Sequence, residues 1–482
     1  MKIAFVASEI APFASTGGLA EVGGSLPRAL EGLGAEVLRI MPLYRRVLDS
    51  LLPVRDTGIR LKVPVGFRTL TADVWHCEKP GPTTYFIRRD EFFDRSHLYN
   101  LPDRDYDDNF ERFIFFQKAA VALLDHLGAR VDIVHANDWQ TGLVPLYLEH
   151  GVHGRARGRQ EKTVFTIHNL AFQGIFPGSE YASTNLPFSC FSIESLEYYG
   201  KVNCLKAGVT SADAVTTVSR TYAEEIQQEG GGYGLHGLLH AVRGKLTGIV
   251  NGIDHEEWDP THDPHLAQPF SADDLSGKRA CRTDVAQKMG LRLGRDQTTL
   301  IGMVSRLSEE KGFGLLAEVV PWLMETQSVS LMILGQGGSA QAELCRAWAE
   351  KWPGRVAFRE AFDRVLGHQI IAGSDLFLMP SRQEPCGLSQ LFSLRYGTIP
   401  VVHATGGLRD TVEPVAGPDR GYGFRFEKFD AEHLQATLAE ALAARSRTDR
   451  WTALVRRAMA QDFSWTRSAR AYLELYESLL KR

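Results

Sequence analysis

The 482-residue sequence is short of the features that mark whole classes of protein. Its six cysteines are scattered, at positions 77, 190, 204, 281, 345 and 386, with no CxxC pair. That pattern fits reduced thiols in a cytoplasm better than a disulfide framework or a zinc site. No apolar run approaches the length that spans a bilayer. The first apolar run begins at Ile3, which leaves no room for a signal or transit peptide. A net charge of −4 is small for this length and argues against bulk nucleic-acid or anionic-membrane binding. HExxH and clustered His/Cys sets are missing, which argues against a metal site, and GxSxG is missing, which argues against a serine hydrolase. No GxxxxGK[ST] occurs and no GxGxxG stands at the first glycine-rich turn, against P-loop ATPases and dinucleotide enzymes. No Ser/Gly-rich or Pro-rich linker interrupts the chain.

What is present is ordinary globular material, 44% hydrophobic and 23% charged, in a chain too long for one core; roughly two to four domains are expected. Short β-branched runs alternate with longer amphipathic stretches. Strands are expected at 3–7, 36–41, 84–87, 133–135, 163–167, 214–218, 246–250, 300–304, 330–334, 376–379 and 400–403, and helices at 109–127 and 433–445. Several of the strands are apolar throughout, as in parallel sheets covered on both faces. The alternation indicates βαβ units in doubly wound sheets. One short stretch recurs: "TGGLAEV" at 16–22 and "TGGLRDTV" at 405–412, each after an apolar run. Each half of the chain therefore carries its own Rossmann-like sheet, with the boundary near 250–260 and a ligand bound between the two at strand carboxyl ends. The terminal "FSWTRSARAYLELYESLL" reads as a helix whose Trp465, Tyr472 and Tyr476 need a surface to pack on.

Polar residues concentrate just after apolar runs. The first pair, Gly17–Gly18, either lets backbone N–H groups approach an anion or is only a tight turn that admits close helix packing. No Lys or Arg stands in that stretch to complete an anion pocket. In "SRLSEEKG", Arg306 and Lys311 suit a pyrophosphate, or are a solvated surface pair beside Glu309 and Glu310. In "PSRQEPCGLSQ", Glu384 precedes a Pro–Cys–Gly turn where it can accept sugar hydroxyls, or merely complement a helix dipole, and Cys386 is as fit for packing as for chemistry. "VHANDWQTG" and "FTIHNLAFQG" set Asp138–Trp139 and His168–Asn169 at strand ends, a set suited to sugar hydroxyls with Trp139 as a stacking face.

In order and spacing these stretches, with "DDNFERFIFF", "LEYYGKVNCLKAGV", "YGLHGLL", "GIVNGID" and "RYGTIPVVHATGGLRDTV", resemble the bacterial glycogen synthases almost end to end. The resemblance implies an α/β chain of two facing Rossmann-like domains of the GT-B type with an interdomain cleft. The acceptor-side domain would be 1–250, the nucleotide-sugar domain 251–462, and the helix of 463–482 would pack back on the first. It implies a retaining glucosyltransferase that moves glucose from ADP-glucose to the non-reducing 4-hydroxyl of an α-1,4-glucan. ADP-glucose is then a substrate, and neither cofactor nor metal is expected. Donor and glucan would be the partners, without nucleic acid or membrane. By position, Arg306 and Lys311 would neutralise the departing diphosphate, Glu384 would contact the donor sugar, and His168 would face its 6-hydroxyl and reacting face. Ser15, Gly17, Gly18, Asp138, Asn169, Asn251, Cys386, Gly387, Leu388, Ser389, Thr405 and Gly406 would line the donor site.

Three positions depart from the resemblance: Ser15 where lysine is usual, Glu21 where Asp is common, and Gln383 where an aromatic is common. The lost lysine implies weaker donor affinity or an altered nucleotide preference. Two other readings compete: a catalytically weak nucleotide-sugar- or glucan-binding regulator, and a transferase acting on a small acceptor.

Overall fold

The computed structural model describes residues 1–101, 104–128, 130–153, 161–294 and 298–481. The chain divides into two units, Met1–Gly252 with Trp465–Arg482, and Ile253–Ser464.

The first unit is built on a nine-stranded sheet. Its strands are β1 (Lys2–Val6), β2 (Glu36–Pro42), β3 (Arg55–Val65), β4 (Arg68–Cys77), β5 (Thr84–Arg88), β6 (Ile133–Asn137) and β7 (Lys162–Ile167). After a small separate sheet of β8 (Ile175–Pro177), β9 (Glu197–Tyr198) and β10 (Lys201–Asn203), the main sheet resumes with β11 (Ala214–Thr217) and β12 (Leu246–Gly248). The order is β12-β11-β7-β6-β1-β2-β5-β4-β3. All pairings are parallel except β3–β4 and β4–β5. The apolar runs became central strands because both faces are covered: Ile3, Ala4, Phe5 and Val6 in β1 are wholly buried. The antiparallel pair β3–β4 was not among the expected strands. Its residues alternate between exposed and covered, so it has no apolar run to announce it.

Strand β1 is flanked by β2 on one side and β6 on the other. The strand order reverses there, and such a switch point leaves a crevice outside the strands' carboxyl ends. The helix Gly18–Gly32 follows β1 and buries Leu19, Ala20, Val22, Leu26 and Leu30. It lies so close to the preceding loop that a Cβ on Gly23 would stand 2.8 Å from the Glu9 carbonyl oxygen, and one on Gly24 2.8 Å from that of Ala11. Helix Trp465–Leu480 packs against it. Tyr472 and Tyr476 are wholly buried there, and the Tyr476 hydroxyl is 2.8 Å from His135 Nδ1 on β6.

The second unit has a six-stranded, all-parallel sheet in the order β15-β14-β13-β16-β17-β18. The strands are β13 (Thr299–Val304), β14 (Val329–Gly335), β15 (Val356–Glu360), β16 (Leu376–Met379), β17 (Ile399–His403) and β18 (Phe424–Phe426). Here β13 lies between β14 and β16, which makes a second switch point. The α/β class with two Rossmann-like sheets is therefore as expected, apart from the antiparallel edge. Among the described residues, no helix is long and apolar enough to cross a membrane.

Candidate active site

In the first unit the strand-end residues form two hydrogen-bonded groups, one around Glu9 and one around Asp138 and His168. The Glu9 carboxylate, 4% exposed, accepts the Thr16 N–H at 2.5 Å, the Thr16 hydroxyl at 2.7 Å and the Tyr99 hydroxyl at 2.6 Å. Burial raises its pKa; these bonds and the Arg46 charge oppose the rise. Thr16 is thereby fixed, while Ser15, Thr16, Gly17 and Gly18 stay exposed. Neither Gly17 nor Gly18 has anything within 4 Å of where a Cβ would sit. Close helix packing is the work of Gly23 and Gly24, so it does not explain the first pair. Although no Lys or Arg stands in this stretch of sequence, the fold brings a cation to it. Arg46, from the short helix Arg45–Leu48, donates from Nη1 to the Ser15 carbonyl at 2.8 Å.

Asp138, just past β6, adopts φ 57°, a left-handed conformation costly for a non-glycine residue. Its reward is a contact across the strand ends: Oδ1 accepts the His168 N–H at 2.7 Å, and the Asn169 N–H also bonds to it. Burial pushes the Asp138 carboxyl up to about 7, with the Glu9 charge adding to the rise. His168 Nε2 lies 2.9 Å from Asn137 Oδ1. Because Asn137 Nδ2 donates to the Val6 carbonyl, Oδ1 is an acceptor and His168 Nε2 carries the proton. Burial pushes the His168 pKa down to about 3, so the ring is neutral with Nδ1 as an acceptor. Asn169 Oδ1 accepts the Ala171 N–H at 3.0 Å. Asn251 is 5% exposed, its Oδ1 without a hydrogen-bond partner among the described residues.

Trp139, expected as a stacking face, is half-buried. Its ring meets Phe113 edge-on at 5.1 Å and Phe176 at 5.5 Å. Gly174, at φ +61°, is so close that a Cβ would reach within 2.5 Å of the indole.

In the second unit, the loops after the adjacent strands β13 and β16 meet. Lys311 Nζ stands 2.5 Å from Glu384 Oε2, which also accepts the Ser381 hydroxyl at 3.0 Å. A cavity of about 170 Å³ is lined by Arg306, Lys311, Glu384, Gly387, Leu388 and Ser389, among others. Arg306 is exposed. Gly387, at φ +72°, turns the chain into the helix Ser389–Arg395; a Cβ there would lie 2.4 Å from Gln390 Oε1. Cys386, Thr405 and Gly406 are buried and do not line this cavity. They stand behind the turn: the Gly407 N–H donates to the Glu384 and Pro385 carbonyls at 3.0 and 3.1 Å. A Cβ on Gly406 would fall 2.1 Å from the Glu384 carbonyl oxygen, so this segment packs directly on the turn.

Residues 2–241 match the family described as Starch synthase catalytic domain, and residues 292–457 match Glycosyl transferases group 1. A glycogen synthase of Anaeromyxobacter sp. (strain Fw109-5) is 45% identical over 99% of both chains. Glycogen synthase 2 of Geobacter sulfurreducens is 42% identical over 99% of this chain and 98% of its own. The chain belongs to the glycogen synthase family. Among solved structures it is similar to the catalytic domain of Arabidopsis thaliana starch synthase IV bound to ADP and acarbose, with a TM-score of 0.90 and 31% identity over 100% and 99% of the two chains. Sucrose-phosphate synthase of Thermosynechococcus elongatus shares the fold, with a TM-score of 0.62 at 18% identity over 100% and 99% of the two chains. As a member of the glycogen synthase family the chain is a glycosyltransferase.

Four residues that these contacts bring in were not singled out from the sequence: Glu9, Arg46, Asn137 and Ser381. Glu9 carried a signal, a carboxylate directly after an apolar strand. Arg46 carried none, since it lies 31 residues from Ser15 and its only link to the loop is tertiary.

Proposed function

We propose that this chain transfers glucose from ADP-glucose to the non-reducing 4-hydroxyl of an α-1,4-glucan, with retention, using neither metal nor cofactor. One observation supports it most. The Lys311–Glu384 pair stands in a cavity shared with Arg306 and the Gly387–Ser389 turn, so cations and backbone N–H groups converge with one carboxylate.

Breaking the bond between C1 of glucose and the β-phosphate leaves the electron pair on the diphosphate. The charge to be stabilised is therefore anionic, and fixed cations and N–H dipoles are what this demands. Arg306 brings a planar guanidinium and Lys311 a point charge. Glu384 orients the Lys311 ammonium and offers its remaining lone pairs to sugar hydroxyls. In the first unit, neutral His168 accepts a hydroxyl at Nδ1, a role an imidazolium cannot fill. Its orientation comes from Asn137 and Asp138.

The test is to incubate the protein with ADP-glucose and glycogen, measure ADP release, and repeat with UDP-glucose. ADP release with chain extension, unchanged by a chelator, is the expected result. No release from either donor overturns the reading, and label in a short oligosaccharide only would favour a small acceptor. Replacing Lys311 by Ala is expected to lower kcat about 10²–10³-fold, the scale seen when one preorganised charge donor is removed.

A further inference from the structure

Arg46 is left unused by the roles assigned above, and its surroundings mark it out. The neighbouring Arg45 is consumed by Asp94, its Nε 2.6 Å from Oδ1 and Nη2 donating to the Asp94 carbonyl at 2.9 Å. Arg46 instead turns to the loop before the helix Gly18–Gly32 and donates to the Ser15 carbonyl. Among the described residues no carboxylate lies within ion-pair distance of it. Glu9, an acid that feels its charge, already accepts three hydrogen bonds.

The loop that Arg46 reaches is built rather than loose. Glu9 pins Thr16, and the helix starts at Gly18 with no side-chain cap on its first turn. Gly17 and Gly18 face solvent, and among the described residues nothing stands within 4 Å of where their side chains would begin. An exposed, positioned glycine turn at a helix start suits a close anionic group. The cation that would accompany it is absent at position 15, where the resemblance puts lysine and this chain has Ser15. A guanidinium carries five N–H donors and retains its charge while one of them braces a carbonyl.

We infer that Arg46 supplies, from another part of the fold, the positive charge that position 15 lacks, and that it binds the diphosphate of the nucleotide-sugar donor. The inference rests on the proposed donor chemistry. A brace that only holds the Ser15 carbonyl is the competing account, and charge separates the two.

The experiment compares Arg46→Ala, Arg46→Lys, Ser15→Lys and the double variant Ser15→Lys/Arg46→Ala. Readouts are KM for ADP-glucose, calorimetric Kd for ADP and for adenosine, and Tm. Arg46→Ala is expected to raise KM for ADP-glucose and Kd for ADP about tenfold, with adenosine affinity changing less than about twofold. Arg46→Lys should retain most of the affinity. Ser15→Lys should recover most of the loss in the Arg46→Ala background and improve the parent chain much less. Equal weakening of ADP and adenosine, no rescue by Ser15→Lys, or unchanged ADP affinity in Arg46→Ala each overturns the inference. If the parent chain binds ADP yet turns over neither ADP-glucose nor UDP-glucose, the proposed function fails on its own, and the ADP-against-adenosine comparison still decides Arg46.

Discussion

The two Thr-Gly-Gly-Leu turns, 16–19 and 405–408, look interchangeable as text and are opposites as structures. At the first, Gly17 is extended, with φ −176°, and opens a helix of 15 residues. A Cβ on Gly17 or Gly18 would meet nothing within 4 Å. At the second, Gly406 is left-handed, with φ +43°, and opens a helix of six residues. A Cβ on Gly406 would fall 2.1 Å from the Glu384 carbonyl oxygen, and one on Gly407 2.0 Å from that of Cys386. The second pair is glycine because its own chain crowds it. The first pair is glycine for a reason outside its own packing, and the chain's packing need is met five residues on, by Gly23 and Gly24. A motif shared by two turns is thus no evidence of a shared role.

The hardest blow to this contrast comes from the crowded turn. Gly407→Ala and Gly406→Ala are expected to cost about 3 kcal/mol or more, since the first must displace backbone and the second also takes an unfavourable φ. For a unit of this size that is a fall of roughly 10 °C in Tm, and displacement of Glu384 should cut ADP release at least about 100-fold. At the open turn, Gly17→Ala should leave Tm within about 2 °C while raising KM for ADP-glucose about tenfold. A stability loss matching that of Gly407→Ala would erase the contrast. Thr16→Val should cost roughly 1–2 kcal/mol in chemical denaturation, because the buried Glu9 carboxylate loses a hydroxyl donor.

The smallest effect concerns two carboxylates, one from each unit. Glu384 is paired with Lys311, whereas Asp138 is bonded to backbone N–H groups and burial raises it from 3.8 to about 7. An acid raised in the folded state binds its proton more tightly there than in the unfolded chain. Its contribution is full below about pH 4 and is lost as pH rises through about 7. Asp138→Asn should therefore flatten the decline in stability between about pH 5 and pH 7 by about 1 kcal/mol, read from denaturation midpoints across that range. Wholly buried His135, lowered from 6.5 to about 3, acts in the opposite direction, favouring the fold above about pH 6.5 and losing that effect as pH falls. The two signs make the test specific: if Asp138→Asn steepens the acid side instead, the assignment of the raised group to Asp138 is wrong.

Much of the fold was legible because a buried parallel strand must be apolar on both faces. The runs at 3–7, 133–135 and 300–304 correspond to β1, β6 and β13. Strands β3 and β4 were not legible, since buried residues alternate in them with exposed or half-buried ones and no apolar run marks them. Glu384, Arg306 and Lys311 were found one by one as polar residues after apolar runs, yet the Lys311–Glu384 pairing, 73 residues apart, was not. The packing of the half-buried Trp139 was not legible for a related reason: its neighbours Phe113, Phe176 and Gly174 come from distant parts of the chain.

By itself the sequence determined the elements, their alternation, the order of the strand-end loops and the family, because hydrophobic period and turn chemistry act over a few residues. Only the tertiary structure decided which glycine pair packs and which stays open, that Glu384 holds Lys311, and that a guanidinium reaches the loop whose own sequence carries no cation. Those outcomes depend on which strands lie side by side at a switch point. Long-range contact between parallel strands sets that order, and no local preference encodes it.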